Sequence, residues 1–206
     1  MKNIDYIKGA QPFFGKYKKN ILKDINFCIN SGNLSNGIYV KKFEENLKKY
    51  FKSKFALSLN SGGTALELAV LSLNLKNKEI IVPSQTFIAS PNSIARAGCT
   101  PVYCDINYRT GCLDPKQVLK KINKRTGAVM YVHMFGMMSK DILEIKSICK
   151  KKKLYLIEDA SHAHGAKING KFAGNIGDVG CFSLYATKII TTGEGGFILT
   201  NNNKIF

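Results

Sequence analysis

Residues 128–159 read AVMYVHMFGMMSKDILEIKSICKKKKLYLIED. Two short apolar runs, Ala128 to Val132 and Leu154 to Ile157, flank a longer amphipathic stretch. The runs carry β-branched and aromatic residues and are too short for helices, so each predicts a strand. Between them Ser139 is a capping residue for a helix whose inner face carries Leu143, Ile145, Ile148 and Cys149. The strands are nearly continuous in apolar residues rather than alternating, which predicts burial on both faces. Strands of that kind belong to the middle of a parallel sheet. The second strand ends in the acidic pair Glu158-Asp159. In open α/β sheets ligands sit beyond the carboxyl ends of the strands, so the chemistry is expected there.

The same alternation extends outward in both directions. Towards the N-terminus, Phe55 to Leu59 predicts a strand and Thr64 to Leu75 a helix; Ile80 to Val82 and Val102 to Cys104 predict strands around a helix over Ile88 to Ala97. Asp114-Pro115 is an N-cap and first-turn pair opening a helix with Val118, Leu119 and Ile122 inside. Towards the C-terminus, Cys181 to Leu184 and Phe197 to Thr200 predict two more strands. The fold class is therefore α/β, a mostly parallel sheet with helices on both faces. The first part, to about residue 52, is expected to be helical. Ile21, Ile25 and Cys28 fit one helix face and Val40, Phe43, Leu47 and Tyr50 another, with breaks at Ser31-Gly32 and Asn36-Gly37. No linker or repeat interrupts the chain, so residues 1–206 are expected to form one domain.

Composition narrows the function. The 206 residues are 45% hydrophobic and 22% charged, an ordinary globular balance. The net charge of +17 invites a nucleic-acid reading, but the only arginines are Arg96, Arg109 and Arg125. Arginine forks dominate specific phosphate and base contacts, whereas these lysines are spread over helix faces, so no nucleic-acid partner is expected. The positive field suits small anionic ligands instead. The six cysteines include no C-x-x-C pair, and several lie in apolar segments as reduced core residues do. No apolar stretch reaches bilayer-spanning length, and Met1 to Tyr6 lacks a signal-peptide core. A cytoplasmic protein without a membrane partner is the expectation.

Three segments could carry chemistry. Asn60-Ser61-Gly62-Gly63-Thr64 follows a strand and opens a helix, where small residues and the helix dipole favour an anion. Glu158-Asp159-Ala160-Ser161-His162 places a carboxylate at a strand end, suited to a buried cation. His162 and His164 alone do not make a metal site, and no metal is expected. Lys188 leaves a strand and precedes the glycine-rich Gly193-Glu194-Gly195-Gly196, where a partly enclosed amine can act as a nucleophile. An anion cradle, a carboxylate and an amine are together what pyridoxal 5′-phosphate (PLP) requires.

In this order the segments resemble the DegT/DnrJ/StrS family of PLP-dependent sugar aminotransferases. The resemblance runs from about Gly32 to Asn202. It includes Ser31 to Gly37, Asn60 to Leu66, Pro83 to Ala89, Val132 to Gly136, Glu158 to Gly165, Gly177 to Ser183, and Thr187-Lys188 before Gly193 to Gly196. Two positions depart from the family pattern. The family more often reads Ser-Gly-Thr where this chain has Ser61-Gly62-Gly63-Thr64, and many members carry asparagine where this chain has Ile189.

The resemblance implies the large domain of a fold-type-I PLP enzyme and a role for each matching residue. Lys188 matches the lysine that attaches the cofactor, Asp159 the partner of the pyridine nitrogen, and His162 the residue beside the ring oxygen. Phe87 matches the ring that stacks on the cofactor face. Gly62, Gly63 and Ser183 match phosphate-binding positions, and Thr64 shares that assignment. The implied catalytic set is Lys188, Asp159 and His162. The implied reaction moves an amino group from glutamate to a keto-sugar nucleotide, in amino-sugar biosynthesis. A dehydratase branch of the family replaces the lysine with histidine, so Lys188 argues for amino transfer. Family chains are nearly twice this length and dimeric. The expectation is a chain truncated before the small domain, a homodimer or paired with a complementary C-terminal chain, and either inactive alone or active only with that chain; the alternative is a non-catalytic remnant, or half of a split enzyme, that binds PLP or a partner chain without turnover.

Overall fold

The computed structural model describes residue 12 and residues 14–206. Residues 1–11 and 13, which include the Met1 to Tyr6 stretch and the start of the expected N-terminal helical segment, lie outside the described residues. Helices α1 (Lys18–Ser31) and α2 (Ile38–Phe51) come first. There follow β1 (Phe55–Leu59), α3 (Gly62–Ser72), β2 (Glu79–Pro83), α4 (Ala89–Arg96), β3 (Thr100–Cys104) and α5 (Pro115–Lys121). The chain continues through β4 (Thr126–Val132), α6 (Asp141–Lys152), β5 (Tyr155–Asp159), the short hairpin β6 (Lys167–Ile168) and β7 (Lys171–Phe172), then β8 (Val179–Ser183) and β9 (Gly196–Thr200).

Seven strands form one sheet in the order β1-β9-β8-β5-β4-β2-β3. All pairings are parallel except those of β9, which runs antiparallel to both β1 and β8. β4 is buried at all seven positions, as its unbroken apolar run predicted. Alternation along each strand divides the core. Ile80, Val82, Ala128, Met130 and Ile157 pack with Ala65, Leu66, Ala69 and Val70 of α3 and Ile94 of α4. Ile81, Val129, Tyr131 and Leu156 face the opposite side, against Val118 of α5 and Ile142, Ile145 and Cys149 of α6. On that second side Leu47 and Phe51 of α2 cover Phe182, Phe197 and Leu199. Helices therefore lie on both faces, as expected.

Tertiary packing shifts several sequence-based expectations. The helix expected after Ser139 is α6, whose N-cap is Lys140; the Ser139 hydroxyl accepts the Asp141 N–H at 3.1 Å just ahead of it. Ile145, Ile148 and Cys149 form its buried face as expected, but Ile142 rather than Leu143 completes it. In α2 the buried aromatic is Phe51, 2% exposed, while Tyr50 is exposed. Helix α3 begins at Gly62 instead of Thr64, because the Ser61 hydroxyl accepts the Thr64 N–H and makes Ser61 the cap. The Ile21, Ile25 and Cys28 face of α1 is not core: Ile21 and Ile25 are exposed and α1 buries no residue. Its ties are to α2, through Tyr39 Oη donating to Asp24 at 2.8 Å and an edge-to-face contact of Phe27 with Tyr39. Periodicity identifies an apolar face; it does not identify what covers it. Among the described residues no helix is long and apolar enough to cross a membrane.

Candidate active site

Strands β4, β5 and β8 end side by side, and α3 begins just beyond β1. Their ends enclose a cleft of about 400 Å³, within the size range of small-ligand sites, roughly 300–1,000 Å³. Gly62, Gly63, Phe87, Asp159, His162, Ser183 and Lys188 all line it. Segments up to 126 residues apart in sequence thus meet in one place. Thr64 is not among the lining residues; its hydroxyl lies 3.0 Å from Ser61 Oγ, turned into the cap of its own helix.

The anion cradle follows from close packing. The first-turn N–H groups of Gly62 and Gly63 have no intrahelical acceptor, so they and the helix dipole favour a negative ligand. A Cβ on Gly62 would stand 2.7 Å from Ser183 Cβ, which leaves only glycine at this junction of α3 and β8. Gly196, opening β9, meets the Ser61–Gly62 backbone just as closely. Phe87 is 73% exposed although it is a large aromatic, and it forms part of the cleft wall. A flat apolar ligand face would cover it.

Alternation along β5 separates the acidic pair. Asp159, 5% exposed, lies on the side of α4. Its Oδ2 accepts from Ser90 Oγ at 2.8 Å and its Oδ1 from the Ser161 N–H at 3.1 Å. Glu158 points the other way and is fully buried. Its two oxygens accept four donors: the N–H groups of Gly174 at 2.9 Å, Ile176 at 2.6 Å and Gly177, and His133 Nε2 at 2.8 Å. Sequence reasoning grouped Glu158 with Asp159 as one acidic pair and missed both Ser90 and the Glu158–His133 pair. The period of two along a strand was the available signal that the two acids diverge. Nothing local signalled Ser90, which is 69 residues from Asp159.

The electrostatics of the cleft are mutual. Burial is the main cause lowering the Lys188 pKa from its usual 10.5, opposed by the Asp159 charge. His162 is lowered from 6.5 chiefly by burial and then by Lys188, again opposed by Asp159. Both directions favour a neutral base or nucleophile. His164 turns away from the cleft towards Phe182 and Phe197, and its buried ring nitrogens have no hydrogen-bond partner among the described residues. Burial pushes its pKa from 6.5 down to about 4. The unfolded chain therefore binds a proton at this position between pH 6.5 and 4 that the folded chain does not. Stability is expected to fall as pH drops through that window, by roughly 3 kcal/mol from this residue. His164→Phe should flatten the acid limb of the unfolding free energy measured by denaturant titration. An unchanged slope would remove His164 from the account. Among the described residues no group of three His, Cys, Asp or Glu side chains could hold a metal ion.

Residues 16–206 match the DegT/DnrJ/EryC1/StrS aminotransferase family. The GDP-perosamine synthase of Vibrio cholerae is 40% identical over 188 residues, covering 90% of this chain and 51% of that enzyme. The solved structure of an aminotransferase from Psychrobacter cryohalolentis superposes with a TM-score of 0.88 at 32% identity, over 95% of this chain and 49% of that one. The E. coli GDP-4-keto-6-deoxy-D-mannose-3-dehydratase with bound hydrated PLP superposes with a TM-score of 0.87 at 28% identity, over 97% of this chain and 52% of that one. The chain spans about half the length of the curated relatives it matches. It belongs to the DegT/DnrJ/EryC1/StrS aminotransferase family.

Proposed function

We propose that this chain is the PLP-binding large domain of a sugar-nucleotide aminotransferase, with Lys188 as the cofactor-attaching residue. The observation that carries the reading is the meeting of Lys188, Asp159, the Gly62–Gly63 cradle and the exposed Phe87 in one cleft. When bound, PLP would supply an electron sink for cleavage of a bond at the substrate α-carbon. Every other task falls to this chain's own residues. Gly62, Gly63 and Ser183 would hold the phosphate, with the α3 dipole adding to the attraction. Asp159 would pair with the pyridine nitrogen and keep it protonated. Phe87 would cover one ring face, and His162 would stand beside the ring oxygen. The Lys188 amine would attach the cofactor and, once displaced by the amino donor, move the proton at the donor's α-carbon. Glutamate as donor and a keto-sugar nucleotide as acceptor follow the family, in amino-sugar biosynthesis. The basic surface favours such anionic substrates. A second copy of the chain or a complementary chain would complete the substrate site.

The test is a single half-reaction. PLP-loaded chain mixed with glutamate should release up to one equivalent of 2-oxoglutarate per cofactor, with loss of the visible absorbance of the lysine-attached form. Attachment of PLP without any 2-oxoglutarate, alone or beside a complementary chain, would leave a PLP-binding protein of other chemistry. Failure to take up PLP would sink the whole reading.

A further inference from the structure

The second cluster of polar groups around Asp159 has no assigned role. Ser90, in the first turn of α4, is fully buried. Its N–H donates to Phe87 O at 3.1 Å, and its own carbonyl accepts from Ser93 Oγ at 2.7 Å, so both backbone groups are fixed. Its hydroxyl lies 2.8 Å from Asp159 Oδ2 and 2.8 Å from Thr86 Oγ1. A serine hydroxyl carries one proton. If that proton goes to Asp159, the Thr86 contact must run from Thr86 to Ser90. The chain then reads Thr86 to Ser90 to Asp159, with each hydroxyl donating towards the carboxylate. A buried carboxylate needs such donors, because burial penalises the charge unless hydrogen bonds replace water. Two donors, Ser90 and the Ser161 N–H, hold its oxygens and leave lone pairs on each for a cation in the cleft. Ser90 also ties this carboxylate to Phe87, the aromatic wall.

We propose that Ser90, backed by Thr86, is a positioning residue that holds the Asp159 carboxylate aimed at the ring nitrogen of the bound cofactor. This rests on the PLP reading above.

The test compares two ligands on the 206-residue chain: PLP, and its analogue with a C–H in place of the ring nitrogen. Both carry the aldehyde, the phosphate and the aromatic face. Affinity is measured by absorbance titration, independent of turnover. Wild type should prefer PLP. Ser90→Ala should weaken PLP about ten- to hundredfold, the range for a lost hydrogen bond to a charged group, and leave the analogue within about twofold. Thr86→Val should weaken PLP by less, and Ser90→Thr, which keeps the hydroxyl, should restore the preference. Equal weakening of both ligands by Ser90→Ala would mean a packing defect and overturn the proposal, as would an unchanged PLP affinity in both Ser90→Ala and Thr86→Val. A wild-type chain that binds neither ligand overturns the PLP reading itself, and the role of Ser90 with it.

Discussion

Lys188→Ala is expected to abolish covalent attachment of PLP. Wild-type chain treated with PLP and then borohydride should gain one cofactor mass on the peptide containing Lys188, and the variant should gain none there. Any transaminase turnover should fall by about 10³-fold or more, since the residue would serve as both attachment point and proton carrier. The expectation rests on the environment of the amine. The loop carrying it is closed on both sides: the Lys188 N–H donates to Tyr185 O at 2.9 Å, and the Leu184 N–H donates to Gly195 O at 2.8 Å. Thr191 Oγ1 also donates to Leu184 O at 2.8 Å. The amine is half-buried, and burial holds its pKa below the usual 10.5, enlarging the neutral fraction available for attack. Lys188→Arg keeps the charge and removes that reactivity, so it should fail as well. Full retention of the visible band in Lys188→Ala, with the cofactor mass on another lysine, would refute the assignment.

Glu158→Gln is expected to cost about 3–5 kcal/mol of folding stability despite preserving side-chain size. Four donors converge on the two carboxylate oxygens, two on each. An amide can present only one oxygen, so its NH₂ group must face at least one of the buried backbone N–H groups with no water to intervene. Domains of this kind are stable by only about 5–15 kcal/mol, so the variant should unfold at much lower denaturant concentration. The loop over Gly174, Ile176 and Gly177 should lose amide-exchange protection first, because its N–H groups lose their acceptor. The consequence reaches the cleft, because the His133 N–H donates to Asp159 O at 3.0 Å across the ends of β4 and β5. A variant that unfolds within 1 kcal/mol of wild type, a margin well below the roughly 3 kcal/mol expected, would show that these hydrogen bonds contribute little net stability.

Local sequence determined which segments are strands and which are helices, because a period of two or of 3.6 is written within a dozen residues. It also determined that the sheet is mostly parallel, since a run such as Ala128 to Val132 can be apolar throughout only if both faces are covered. The segments around Gly62, Asp159 and Lys188 were legible for the same reason: each is a short stretch that follows a strand. The tertiary structure alone decided how these pieces meet. It reversed β9 between β1 and β8, seated Ile142 and Phe51 where Leu143 and Tyr50 had been expected, left the apolar face of α1 outside the core, and withdrew Thr64 from the cleft. It also placed the Ser90 hydroxyl on a carboxylate 69 residues away. Pairing across the sheet and the partner of a buried charge depend on which distant surfaces come into contact, and that information is spread over the whole chain rather than carried by any one segment.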